Sequence, residues 1–356
     1  MFEKRVNSIS EFLENNTAAL ITSDANRIYF TGFNSSAGTV LITKSRAVFL
    51  IDFRYYEKAK ANVKHMEVIL ANNIHNQIKD ILKEENIKKV FTETDSITIA
   101  SYNRIKKALT DFCISTNRSL SQKITQLRQI KTKKELELIK KAQALTDDTF
   151  GYILSRLADG RTEREIMLDM EFYIRKNGSE GVSFDFIVVS GKNSSLPHGV
   201  PTDKKIESGD FITMDFGAVV DGYRSDMTRT VAINHVSELQ KEVYSIVLNA
   251  QLESLKAIRP GVKCCDVDKI ARDIISSAGY KDCFGHGLGH SVGLEIHESP
   301  ALNTRDTTLL KPGVIMTVEP GIYIENKFGV RIEDMVYVTE DSCINLTKSP
   351  KELIII

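Results

Sequence analysis

Short apolar runs alternate with helical patterns over the first third of the chain. Runs at 18–22, 39–43, 47–52, 68–70 and 89–92 predict strands, and 74–85 and 99–109 predict helices. Ahead of them, Phe2, Val6, Ile9 and Leu13 fall at helical spacing, which predicts an amphipathic helix within residues 1–15. Strands alternating with helices imply an α/β layer. Residues 122–130 then lead into a long charged helix that starts at Lys133 and runs to about residue 157. A boundary near residue 125 is expected, giving domains 1–124 and 125–356.

The second part carries a repeat legible from spacing. One helix ends at Gly160, and a second runs over 162–177 to Gly178, opened by the capping-box pattern Thr162-x-x-Glu165. The plan recurs with a helix over 238–258 ending at Pro260-Gly261 and another over 266–277 ending at Gly279. Gly209 lies six residues before Asp215 and Gly217 two after it. Gly313 and Gly321 stand at the same distances from Glu319. Gly222-x-Arg224-x-Asp226 is answered by Gly329-x-Arg331-x-Glu333. Helix ends and turns favour glycine in any protein. Several matches in order, with carboxylates at corresponding places, indicate duplication. Two copies of helix–helix–strand–hairpin would form one pseudo-two-fold α+β unit, each copy delivering two acids to a shared centre.

Composition narrows the function classes. Apolar residues are 42%, enough for a sizeable core. Lys+Arg and Asp+Glu both number 47, and this zero net charge argues against a nucleic-acid binder. No apolar run approaches the roughly 18–20 residues that span a bilayer, so no membrane partner is expected. The charged N-terminus lacks a signal-peptide core. The five cysteines are odd in number and include no Cys-x-x-Cys pair, which fits a reducing, cytoplasmic setting.

The four acids Asp215, Asp226, Glu319 and Glu333 sit in or beside apolar strands such as Phe211-Ile-Thr-Met-Asp-Phe216 and Val314-Ile-Met-Thr-Val-Glu319. A buried acid is costly without a cation. An arginine or lysine serves for any single acid, but four exceed the charge that Arg224 and Arg331 supply, and divalent metal is the natural alternative. Histidines are concentrated nearby, in Gly285-His-Gly-Leu-Gly-His290 and at His297, with His198 a further candidate. The glycines let the backbone bend closely around a site. The chain has no dinucleotide fingerprint, His-Glu-x-x-His helix, Gly-x-Ser-x-Gly elbow or P-loop.

The second part resembles the pita-bread metallopeptidases: methionine aminopeptidase, Xaa-Pro aminopeptidase and Xaa-Pro dipeptidase. The matching text is Met214-Asp-Phe-Gly217, Tyr223-Arg-Ser-Asp-Met-Thr-Arg229, Gly285-His-Gly-Leu-Gly-His290, Thr317-Val-Glu-Pro-Gly321 and Val330-Arg-Ile-Glu-Asp334. Ile28-Tyr-Phe-Thr-Gly-Phe33 and Asp52-Phe-Arg-Tyr55 resemble the creatinase-type N-terminal domain of the proline-specific members. The resemblance implies five ligands for two divalent ions: Asp215 on one, Asp226 and Glu333 bridging both, His290 and Glu319 on the other. An oxygen-rich set with one histidine suits Mn2+ best, with Co2+ and Zn2+ as alternatives. Glu319 is implied as proton acceptor, His198 and His297 as catalytic substrate contacts, His286 as a pocket residue. Arg331, two residues before Glu333, is expected to orient that ligand or meet a substrate carboxylate.

Because the N-terminal domain is absent from simple methionine aminopeptidases, the expected activity is Xaa-Pro aminopeptidase action on short peptides. A Xaa-Pro dipeptidase and a broader aminopeptidase are the alternatives. A silent binding module and a creatinase-like C–N hydrolase are disfavoured by the complete ligand set. A homodimer is implied by the relatives alone.

Overall fold

Five strands of the first sheet lie where the alternating pattern puts them. In the computed structural model, which describes residues 1–356, they are β1 (Thr17–Ile21), β2 (Thr39–Ile42), β3 (Ala47–Ile51), β4 (Glu67–Leu70) and β5 (Lys89–Thr92). A three-residue strand β6 (Cys113–Ser115) completes the order β4-β3-β2-β1-β5-β6. Only β2 runs antiparallel to its neighbours. The parallel pairs need crossover connections. Helix α4 (Ile74–Glu84) joins β4 to β5, and α5 (Ile99–Ala108) joins β5 to β6. Leu20, Leu41, Leu50 and Val90 form a core with Ile78, Leu82 and Ile105 from these helices. The N-terminal helix is α1 (Phe2–Phe12). Helices α2 (Asp24–Thr31), α3 (Phe53–Asn62) and α6 (Ser119–Gln129) complete the list. The chain divides into two compact units, Met1–Arg128 and Gln129–Ile356, at the C-terminal end of α6.

The second unit follows the repeat. Its first half runs through α7 (Lys133–Leu154), α8 (Glu163–Lys176), β7 (Ile187–Ser190) and β8 (Phe211–Phe216). The hairpin β9 (Val219–Val220) and β10 (Tyr223–Arg224) follows, then β11 (Met227–Ala232). Its second half has α9 (Glu238–Ala257), α10 (Cys264–Ser277), β12 (Gly289–Ser291), β13 (Glu298–Leu302) and β14 (Ile315–Val318). The hairpin β15 (Gly321–Ile324) and β16 (Phe328–Arg331) leads to β17 (Asp334–Val338) and β18 (Cys343–Asn345). The strands form antiparallel sheets ordered β11-β8-β7 and β13-β12-β14-β17-β18. Capping boxes at Thr132/Glu135, Thr162/Glu165 and Ser237/Gln240 start α7, α8 and α9. Corresponding turn glycines share a conformation: Gly209 and Gly313 have φ of +90° and +93°, where a side chain would be strained.

Each half has its own core. Phe150, Ile153, Ile166 and Met170 from α7 and α8 pack on Val188, Met214, Phe216 and Val231. Val247, Val267, Ala271 and Ile275 from α9 and α10 pack on Met316, Val318, Val330 and Val336. Each of these Val, Ile, Met and Phe side chains contributes about 1.5–3 kcal/mol on burial. The halves are tied by Arg229, which is fully buried and donates to Asp334 at 2.7 Å and to the carbonyls of Ser349 and Pro350 at 2.8 and 2.9 Å. No helix is long and apolar enough to cross a membrane.

Candidate metal centre

The four acids stand at matching strand ends. Asp215 lies in β8, paired opposite Thr228 of β11, and Glu319 directly follows β14. Asp226 directly precedes β11, and Glu333 directly precedes β17. The two halves meet at these ends, where the Glu333 amide donates to the Thr228 carbonyl at 3.1 Å. His290 comes from β12, which packs so closely on Thr317 of β14 that any side chain at Gly289 would strike the Thr317 carbonyl. Asp215, Asp226, His290, Glu319 and Glu333 all line one cavity of about 660 Å³.

The donors face one another without enough positive charge. Ligand atoms of Asp226, His290 and Glu333 lie within 4.8 Å of each other. His290 Nε2 is 3.5 Å from Asp226 Oδ2 and 3.4 Å from Glu319 Oε1. Its Nδ1 lies 3.2 Å from the Ser291 carbonyl, which can only accept, so Nδ1 carries the proton. Burial pushes this imidazole down to about 4, so it is neutral and turns a lone pair toward two acids. Burial, then the neighbouring acids Glu333 and Asp215, raises Asp226 well above the ordinary carboxyl range. Burial, then Glu319 and Asp215, does the same to Glu333. Burial pushes Glu319 up to about 8. Asp215 Oδ1 and Glu333 Oε1 are buried without a hydrogen-bond partner. Such orphaned acceptors, four carboxylates and one neutral imidazole, fit a divalent cation site of hard, oxygen-rich character.

Around them the other candidates take separate places. Arg331 is buried and fully engaged. Its Nη2 donates to Asp215 at 2.7 Å, Nε to Thr228 at 3.0 Å, and Nη1 to Tyr323 Oη at 2.8 Å and to the Pro197 carbonyl at 3.2 Å. Thr228 in turn donates to Glu333 at 2.7 Å. Arg331 thus orients Asp215 directly and reaches Glu333 through Thr228. His286 donates from Nδ1 to the Gly287 carbonyl at 2.8 Å and accepts at Nε2 from Tyr323 at 2.9 Å. Burial pushes it to about 4 and pushes Tyr323 up to about 12. The His297 ring lies 4.4 Å from that of His290, centre to centre. His198 is exposed and its imidazole makes no hydrogen bond. Both open onto the 660 Å³ cavity and onto a second of about 480 Å³ that adds His286, Arg331, Arg272 and Asn303–Arg305.

Residues 137–340 match the family model described as Metallopeptidase family M24. This chain belongs to the M24 family. Residues 5–130 match the Creatinase/Prolidase N-terminal domain. The chain is 37% identical over 356 residues to the Xaa-Pro dipeptidase of Pyrococcus furiosus, covering 99% of this chain and all of that one. Its structure is similar to the Xaa-Pro dipeptidase from Bacillus anthracis, with TM-score 0.94 and 42% identity over 100% and 99% of the two chains. It is equally similar in extent to the X-Pro aminopeptidase from Thermotoga maritima, with TM-score 0.92 and 37% identity over 100% and 99%. The fold is therefore a creatinase-type N-terminal domain followed by a pita-bread catalytic domain, and the chain is a metal-dependent peptidase.

Several residues that shape this M24 site carry no sequence signal of their own. Tyr323 and Thr228 read as ordinary strand residues. Asp268 and Arg272 lie at i and i+4 on α10, a spacing common to exposed ion pairs. Asp268 is instead fully buried and accepts from the Leu288 amide at 3.0 Å, while Arg272 donates to the carbonyls of Phe284 and His286. Together they hold the glycine-rich segment that presents His286 and His290.

Proposed function

We propose that this chain is a dinuclear-metal Xaa-Pro aminopeptidase, removing the N-terminal residue from short peptides with proline second. The observation that carries the metal centre is the convergence of four acids and a neutral histidine on one cavity, with only Asp215 among the acids paired to an arginine, Arg331. Asp215, Asp226, His290, Glu319 and Glu333 would hold the cations, with Mn2+ preferred by donor type and Co2+ or Zn2+ as alternatives. Such cations supply hydroxide at neutral pH and polarise the scissile carbonyl. Glu319 takes the proton of the attacking water and returns it to the leaving nitrogen. His297 hydrogen-bonds the reacting carbonyl group, and His198 contacts the substrate near the leaving nitrogen. His286, kept neutral, lines the pocket beside Arg331.

Proline second makes the scissile amide tertiary and removes its N–H. A site for such bonds relies on contacts to the carbonyl and the ring. The match of residues 5–130 and the names of the relatives support proline preference. Space beyond His198 and His297, along Ala301 and Asn303–Arg305, supports a residue after the proline. A dipeptidase reading is favoured by Arg305, which lines the same cavity without an ion-pair partner and so offers a charge to a free carboxylate. The five cysteines, all free, suit a cytoplasmic enzyme. A homodimer belongs to the proposal and is tested by sedimentation.

The test is parallel hydrolysis of Ala-Pro, Ala-Pro-Ala and Met-Ala-Ala by Mn2+-loaded enzyme. Alanine release from the tripeptide alone supports the aminopeptidase. Cleavage of Ala-Pro alone makes the chain a dipeptidase. Cleavage of Met-Ala-Ala alone overturns the proline preference.

A further inference from the structure

The segment between β7 and β8 carries His198 on an exposed loop, and the imidazole is held by no hydrogen bond. Its place is therefore set by the backbone that carries it. That backbone is fastened at both ends by one side chain, Glu163, in the first turn of α8. Glu163 is fully buried. Its Oε1 accepts from the Ser190 amide at 2.7 Å, the Ser190 hydroxyl at 3.0 Å and Asn193 Nδ2 at 3.1 Å. Its Oε2 accepts from the Thr202 amide at 3.0 Å and the Thr202 hydroxyl at 2.6 Å. Ser190 precedes the loop and Thr202 closes it, so the carboxylate draws together residues eight before and four after His198.

The chemistry of the clasp requires a charged acceptor. Every group facing Glu163 donates, and hydrogen bonds to a carboxylate are about twice as strong as neutral ones. Lys204 Nζ donates to the Ser190 hydroxyl at 3.0 Å, which directs the Ser190 proton to Glu163. The position in the first helical turn also favours negative charge. Between the two fastened ends, the Gly329 amide donates to Ser194 Oγ at 2.9 Å and Arg331 to the Pro197 carbonyl at 3.2 Å. The loop is thereby fixed at its base by Glu163 and along its length by the strand that leads to Glu333.

We infer that Glu163 is a positioning residue for catalysis, acting through His198 without touching substrate. This rests on the role given above to His198. A glutamine would turn its amide N–H2 toward donors and release one end of the loop. A misplacement of about 1 Å costs roughly 10²-fold in rate, so Glu163→Gln is expected to lower kcat on Ala-Pro-Ala by about ten- to a hundredfold, with bound metal unchanged.

A double-mutant cycle separates this from a general structural role. Turnover is measured for Glu163→Gln, His198→Ala and the pair, with metal content and thermal unfolding recorded for each. The expected result is that Glu163→Gln adds little to His198→Ala. Losses that multiply overturn the inference while leaving the role of His198 intact. If His198→Ala alone leaves turnover unchanged, the role of His198 fails and the inference with it. Should Glu163→Gln not fold, Asn193→Ala and Thr202→Val remove clasp donors from the loop side. They enter the same cycle with the same expected non-additivity, and multiplying losses again count against the clasp.

Discussion

Arg331 closes on Asp215 at 2.7 Å and is the one arginine or lysine side chain that bonds any of the four clustered acids. Its planar fork meets Asp215, Tyr323 and Thr228 at once, which a lysine cannot do. Arg331→Lys is therefore expected to weaken metal binding about 10–100-fold, as loss of a residue that orients a ligand does. Chelator competition measures this, and unchanged affinity would contradict the orienting role. In the metal-free protein, Arg331→Ala leaves Asp215 buried and unpaired and should cost about 3–5 kcal/mol of stability.

Removing the metal should reverse the usual pH response. Glu319, raised to about 8, and Asp226 and Glu333, raised by burial and by each other's neighbourhood, hold protons when folded that they release when unfolded. Stability of the stripped protein is thus present at lower pH and lost as pH rises toward about 8, by about 1.4 kcal/mol per unit for each proton held. Below the ordinary histidine range an opposing contribution enters. His286 and His290, both depressed to about 4, must stay neutral when folded, so their contribution to stability falls as pH drops from 6.5 toward 4 and offsets part of the carboxyl gain. Bound cation displaces the carboxyl protons and removes the alkaline loss. Thermal unfolding of stripped and loaded protein at pH 6.5 and 8 tests this. A stripped protein equally stable at both values sinks it.

Glu319→Ala in metal-loaded protein is expected to abolish turnover, because in the proposed mechanism it removes both a ligand and the group that accepts the water's proton. Persisting hydrolysis at full metal content would assign the proton to another residue.

Tyr323→Phe removes the hydroxyl between His286 and Arg331. It leaves a buried imidazole acceptor unpaired, which costs about 1–3 kcal/mol. The expected outcome is a folded, metal-binding protein with lowered kcat. Unchanged kcat would mean that the orientation of His286 does not matter to turnover.

The legible parts of the site are those fixed by short-range spacing. Asp215 and Asp226 answer Glu319 and Glu333 because duplication repeats the strand–hairpin frame, and glycine marks its turns. The glycine-rich run flagged His286 and His290 for the same local reason. Glu163 and Thr228 carry no such signal because their partners lie far along the chain, as with Arg331 and Thr228, 103 residues apart. Among the elements, α2 gives no helical signal, since Ile28-Tyr-Phe-Thr31 favours a strand by propensity. Its helix ends at Gly32 with φ of +67°. Helix α3 shows no apolar stripe, because Ala59 is its one buried residue. Strand β6 has three residues at a sheet edge, too few to show a period.

The most direct measurement is metal stoichiometry against activity. Chelator-stripped protein is titrated with Mn2+ while bound metal per chain and alanine release from Ala-Pro-Ala are followed together. Two ions per chain at full activity, and none of that activity in the stripped protein, is the expected result. Full activity with one ion bound, or undiminished hydrolysis after stripping, would contradict a dinuclear centre built from Asp215, Asp226, His290, Glu319 and Glu333.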